Sequence, residues 1–140
     1  ELAHDDERFE MLVKILQRSH QEEKSLGVYM ARSLATATKL PAYEYHNAGH
    51  RARQIEDAPG LWLRNLLANR IYQCPVIFLE PYVMNNQEVH DRIQLGDYKG
   101  TKLISGEERK SIFQEYADAV VSALEQYYLD YRIIYKPDGR

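Results

Sequence analysis

Pro75-Val76-Ile77-Phe78-Leu79-Glu80-Pro81 is the stretch whose reading decides the fold of this 140-residue chain. Five uncharged residues, two of them β-branched, end on a carboxylate, and a second proline stops simple continuation. Such a run reads as a strand covered on both faces, the situation of a parallel sheet. In open α/β sheets ligands gather beyond the carboxyl ends of the strands. Glu80 stands at that end, where a carboxylate is either desolvated or held against a cation, and both states serve chemistry. The alternative is a strand-end glutamate that simply reaches solvent.

Outward from this run, the length suits one domain with one core, so residues 1–140 are expected to form a single domain. An apolar fraction of 44% and a charged fraction of 28% are those of an ordinary globular protein. The net charge of −3 supplies no field to recruit nucleic acid, and no Lys/Arg cluster opposes that reading. No apolar run is long enough to span a bilayer. A single cysteine, Cys74, rules out an internal disulfide, and its place just before the apolar run predicts a packed thiol.

Phe9 to Leu16 fits two periods. Phe9, Leu12, Val13 and Leu16 share a helical face, while Phe9, Met11, Val13 and Ile15 alternate as in a strand. Ser19-His20-Gln21-Glu22 has the form of a capping box, and Leu26, Met30, Leu34 and Ala37 recur behind it at helical spacing until Pro41. Residues 41–60 read as a loop bounded by Pro41 and Pro59-Gly60. Within it, His46 and His50 lack the intervening Glu of the zincin pattern, and Gly49 disfavours a helix. Arg51 and Arg53 either hold an anionic group or face water. Trp62 either stacks a sugar or peptide or serves as core and rim. Asn85-Asn86 offers an N-cap for a helix over Gln87–Leu95. Ser105-Gly106-Glu107-Glu108 has the form of a second capping box. The helix it opens carries Ile112, Phe113, Tyr116, Val120, Ala123, Leu124 and Tyr127 over roughly 34 Å.

These residues carry a resemblance. Leu63-Arg64-Asn65, then Pro75 to Glu80, then Asn86, then a long final helix resembles the zinc-dependent N-acetylmuramoyl-L-alanine amidases of peptidoglycan. The match covers roughly residues 9–128, and its most specific part is the apolar run ending in Glu80. Tyr82 stands where that family has Gly, so the turn after Glu80 must differ.

The resemblance implies a three-layer α/β fold of the phosphorylase/hydrolase-like kind. In it a mixed, mostly parallel sheet is flanked by helices, and Phe9 to Leu16 is one of the strands. The chain would correspond to the C-terminal half to two-thirds of the catalytic domain, without its N-terminal part. Glu80 would be the catalytic acid and base, taking a proton from zinc-bound water and returning it to the departing amine. His4 would be a zinc ligand, the remaining ligands of the Zn2+ lying outside this segment. Arg64 and Asn86 would contact substrate. The partner implied is peptidoglycan, met by a monomer in the cell envelope, periplasm or extracellular space, or by a phage lysin. The alternative is a non-catalytic peptidoglycan-binding or regulatory domain. Further off stands an unrelated small domain in which Glu80 is structural.

Overall fold

The computed structural model describes residues 4–45, 52–83 and 85–134, with side chains through residue 131. Its described residues form helices α1 (Asp5–Leu16), α2 (Ser19–Thr38), α3 (Leu67–Ile71), α4 (Gln87–Gln94) and α5 (Ile112–Ile134). Two antiparallel hairpins accompany them, β1 (Ala52–Gln54) with β2 (Trp62–Arg64) and β3 (Lys102–Ile104) with β4 (Glu107–Arg109). The expected three-layer α/β fold with a mostly parallel sheet is therefore incorrect: the protein is helix-rich, and among the described residues the strands pair only within the two hairpins. The chain divides into two compact units, residues 1–32 with 41–78 and residues 33–40 with 79–140.

In the first unit the apolar run from Pro75 is not a strand. Its polar backbone is engaged by side chains rather than by a ladder: the Val76 N–H donates to Glu23 Oε1 at 2.9 Å, and the Val76 carbonyl accepts from Asn69 Nδ2 at 3.3 Å. Phe78 is 51% exposed, so the covering expected on both faces is missing. Cys74 is likewise exposed rather than packed.

Phe9 to Leu16, expected as a strand, lies in α1. The first turn carries Asp5, Asp6 and Glu7, which suit the positive end of a helix, and Arg18, at φ 59°, separates α1 from α2. The decisive residues are charged. Glu7, Glu10 and Lys14 recur at i, i+3 and i+7, a single helical face, and each finds a partner inside the unit. Arg70 pairs with Glu7 at 3.3 Å and with Glu10 Oε2 at 3.0 Å. Lys14, buried, pairs with Glu23 and donates to the Asn69 carbonyl. An alternating strand would divide Glu7 from Glu10 and Lys14 and break this network.

The second unit is built around α5. Its N-terminus differs from the expected capping box, because Ser105 and Gly106, at φ 50° and 85°, are the two-residue turn of the β3–β4 hairpin. Two successive positive φ values match the right-handed twist of a tight hairpin, which glycine at the second position eases. The cap is Ser111 instead: its Oγ accepts from the Gln114 N–H at 3.1 Å and donates to Asp97 Oδ1 at 2.5 Å. The expected apolar stripe divides, with Ile112 and Ala123 buried and Phe113 exposed, and Ala119, outside that stripe, is buried with them. Glu115 shares the buried side, 7% exposed, held by Arg109 through Nε at 2.7 Å and Nη2 at 2.8 Å and by Arg92 Nη2 at 2.7 Å. Arg109 Nη2 also donates to the Thr38 carbonyl at 2.9 Å, placing a cation at the negative end of α2.

Burial raises the Glu115 carboxyl, but the hydrogen bonds and charges of Arg109 and Arg92 outweigh it and hold the group below the usual carboxylate range. Tyr82, whose hydroxyl donates to the Ile112 carbonyl at 3.0 Å, is pushed up to about 12, first by burial and then by the Glu115 charge. The depressed carboxyl contributes stability above the ordinary Glu range, lost as pH falls toward its folded-state value. The raised phenol contributes stability below pH 10, lost as pH rises toward about 12.

Glu115→Ala leaves two guanidinium groups facing no buried carboxylate and should cost about 3–5 kcal/mol, measured by urea unfolding. In an ultraviolet titration of the eleven tyrosines, one phenolate should emerge late, near pH 12, and be missing from Tyr82→Phe. A wild-type curve completed by pH 11 would contradict that assignment.

Candidate ligand-binding surface

The β1–β2 hairpin sets this surface. Gln54 pairs with Trp62 and Ala52 with Arg64, so alternation places Trp62 and Arg64 on one face and Arg53 and Leu63 on the other. The connection is closed by Ile55 N–H to the Leu61 carbonyl at 3.0 Å and by Leu61 N–H to the Ala58 carbonyl at 3.0 Å, with Gly60 at φ 84°. Leu61 lies directly against Gly27 of α2, where an added Cβ would meet its Cδ1 at 2.9 Å. A side chain at position 27 would therefore push the tip of Leu61 aside.

Tyr43 and Tyr45 complete the surface. The Trp62 Nε1–H donates to the Tyr43 carbonyl at 3.2 Å. The rings meet edge to face, Tyr45 with Trp62 at 4.9 Å and 78° and Tyr43 with Tyr45 at 5.1 Å and 88°. That arrangement sets the positive edge of one ring on the negative face of the next. The Arg64 guanidinium sits 5.7 Å from the Tyr45 ring centroid, and its Nη1 donates to the Tyr45 hydroxyl at 3.4 Å. The cation is thereby steadied by the ring while the side chain stays exposed. Trp62 spends its N–H inside the cluster, so a ligand would meet the ring rather than the donor. Arg64 keeps further N–H groups in a planar fork suited to a carboxylate.

Arg64 is thus brought together with Trp62, the two ligand-contact candidates from the hairpin sequence. The other expected site residues are placed differently. Glu80 is exposed on an irregular segment and makes no hydrogen bond or ion pair among the described residues. Asn86 is the N-cap of α4, its Oδ1 accepting from the Val89 N–H at 3.0 Å, so that oxygen is committed to the helix. His4 is exposed at the N-cap position of α1 and makes no capping bond. Among the described residues no group of three His, Cys, Asp or Glu is placed to hold a metal ion. The zinc ligands that the resemblance implies, apart from His4, are expected outside this segment, and no chemical step is derived through the metal. His46, His50 and Arg51 lie outside the described residues, and Arg53 is exposed on β1.

Tyr43 and Tyr45 were not singled out by the sequence reading. The signal was present as a Tyr-x-Tyr alternation, which in extended backbone places two rings on one side. Comparisons with protein-family models, curated proteins and solved structures find no match. Among the described residues no helix is long and apolar enough to cross a membrane.

Trp62 is the sole tryptophan, so its fluorescence reports this cluster directly. Tyr45→Ala should shift its emission to the red by several nanometres and lower stability by about 0.5–1.5 kcal/mol, the range of one aromatic pair. An unchanged spectrum would show that the Tyr45–Trp62 contact is not made in solution.

Proposed function

We propose that this chain acts on peptidoglycan, as the wall-engaging portion of an N-acetylmuramoyl-L-alanine amidase. One observation carries the reading: Arg64, from the Leu63-Arg64-Asn65 match, stands exposed beside the Trp62, Tyr43 and Tyr45 rings. Flat rings with few rotatable bonds lose little entropy on contact, and a neighbouring guanidinium adds affinity for carboxylates. Glycan strands substituted with acidic peptides offer both partners, sugar faces for the rings and carboxylates for Arg64.

The amide-cleaving part of the proposal rests on the sequence match from Pro75 to Glu80 alone, since Asn86 caps α4. Glu80 is exposed and unengaged among the described residues, which leaves its carboxylate available to carry a proton. A catalytic zinc site takes three protein ligands and one open position. Those ligands are not assembled among the described residues, so this chain by itself is expected to bind the wall polymer without cutting it. That same observation favours the second reading, a binding or regulatory domain with no chemistry of its own. The proposed address is the cell envelope or the extracellular space, since that is where the polymer lies.

The purified chain should co-sediment with peptidoglycan sacculi and release no soluble muropeptides, with Trp62→Ala weakening binding at least tenfold. Binding that survives both Trp62→Ala and Arg64→Ala would remove the surface from the proposal. Chelation of zinc should leave the melting temperature of this chain unchanged, and a fall of several degrees would reveal a bound structural metal. Where a longer protein supplies the remaining ligands, Glu80→Gln should abolish muropeptide release at unchanged wall binding. Near-normal turnover in that variant would mean that another group moves the proton.

A further inference from the structure

Arg8, Arg70, Arg92 and Arg109 are each held by a carboxylate. Arg64 is held as well, but by neutral groups: its guanidinium lies over the Tyr45 ring, and its Nη1 donates to the Tyr45 hydroxyl. Its face of the hairpin supplies no counter-charge. Ala52 stands across the ladder from Arg64 and Gln54 across from Trp62, and neither is acidic. Among the described residues no carboxylate forms an ion pair with Arg64, and the side chain is exposed. A positioned cation thus keeps its full charge for something outside the chain.

The uncommitted part of this guanidinium has a defined shape. With Nη1 turned to Tyr45, the edge formed by Nε and Nη2 remains, two parallel N–H groups. The same edge of Arg109 shows what it accepts: Nε donates to Glu115 Oε1 at 2.7 Å and Nη2 to Oε2 at 2.8 Å. A carboxylate offers such an edge two oxygens and a counter-charge. A carboxamide offers one oxygen, and its amino group sets donor against donor. Two residues along one strand separate Trp62 and Arg64 by roughly 7 Å at the backbone, so a sugar or apolar unit on the ring can carry a nearby acid to the guanidinium.

We infer that Arg64 makes this surface selective for stem peptides whose acidic groups are free carboxylates, and that walls carrying carboxamides in their place are bound poorly. Selectivity of this kind rests on peptidoglycan being the polymer bound, and it adds which chemical form of the polymer is taken. It runs against the net electrostatics. The chain carries a net charge of −3, so removing negative charge from the wall should by itself favour association. Loss of binding on amidation is therefore the mark of a local contact.

Co-sedimentation with two forms of the same sacculi tests the proposal, one native and one amidated with a carbodiimide and excess ammonium. The wild-type chain should bind the native form about tenfold more tightly. Arg64→Gln should erase that difference, binding native sacculi about tenfold less tightly and amidated sacculi as the wild type does. Equal affinity for the amidated form, with unchanged Trp62 emission, shows that the variant keeps its aromatic surface. Wild-type binding indifferent to amidation, or tightened by it, overturns the selectivity and leaves wall binding standing. Equal losses by Arg64→Gln on both forms overturn the carboxylate contact and make Arg64 a support for the rings. Failure of the wild type to bind either form removes the peptidoglycan reading itself, and this selectivity with it.

Discussion

One carboxylate, that of Glu115, is shared by the guanidinium groups of Arg92 and Arg109 on the buried side of α5, and the second unit depends on it. The arrangement ties α4, β4 and α5 together, and through Arg109 it reaches the last carbonyls of α2. Among the described residues the apolar core of this unit is slight, formed by Val89, Ile112, Ala119 and Ala123. Two of those are alanines, whose small side chains leave little apolar area to drive folding. Charges taken out of water are costly unless each is paired with good geometry, so such an interior tolerates few alternative packings. Arg92 Nε, without a hydrogen bond among the described residues, marks where that pairing is incomplete.

The first unit solves the same problem with different residues. Lys14 is buried against Glu23, and Arg70 bridges Glu7 and Glu10. Glu23 also accepts the Val76 N–H, so one side chain neutralises a buried cation and satisfies backbone that no strand pairs. This explains why a run of strong strand formers stays irregular. The Val76 N–H and carbonyl are already served, and prolines at both ends limit how far any ladder could extend. The same economy places apolar side chains outside, on α1 and along the segment from Leu67 to Phe78, where Leu67, Ile71, Tyr72 and Phe78 are all exposed. Surfaces of that kind are the ones through which proteins meet partners.

The two surfaces differ in how they are made. The hairpin surface is held by hydrogen bonds: a short antiparallel pair, a tight connection and the Trp62 Nε1–H donated to the Tyr43 carbonyl place Trp62 and Arg64 beside the tyrosines. The α1 surface is fixed electrostatically, by ion pairs on the opposite side of the same helix.

Local sequence determined the long helices and the α4 cap. The stripe from Leu26 to Ala37 and the apolar positions of α5 repeat over many turns, and Asn86 needs only its own neighbours to bond the Val89 N–H. It also carried the ligand-contact candidates Arg64 and Trp62, though not the tyrosines that join them. The fold class was not legible, because the run from Val76 to Leu79 is a strand only if another strand lies alongside, and pattern does not say whether one does. The Ser105 capping box failed for a related reason: the same four residues suit a helix start and a tight turn, and pairing of Lys102 with Arg109 chose the turn. For Phe9 to Leu16 both periods were written in the apolar residues. The choice was made by Arg70 and Glu23, distant in sequence, because a charge can enter an interior only where its counter-charge already waits, and only the folded chain sets that place.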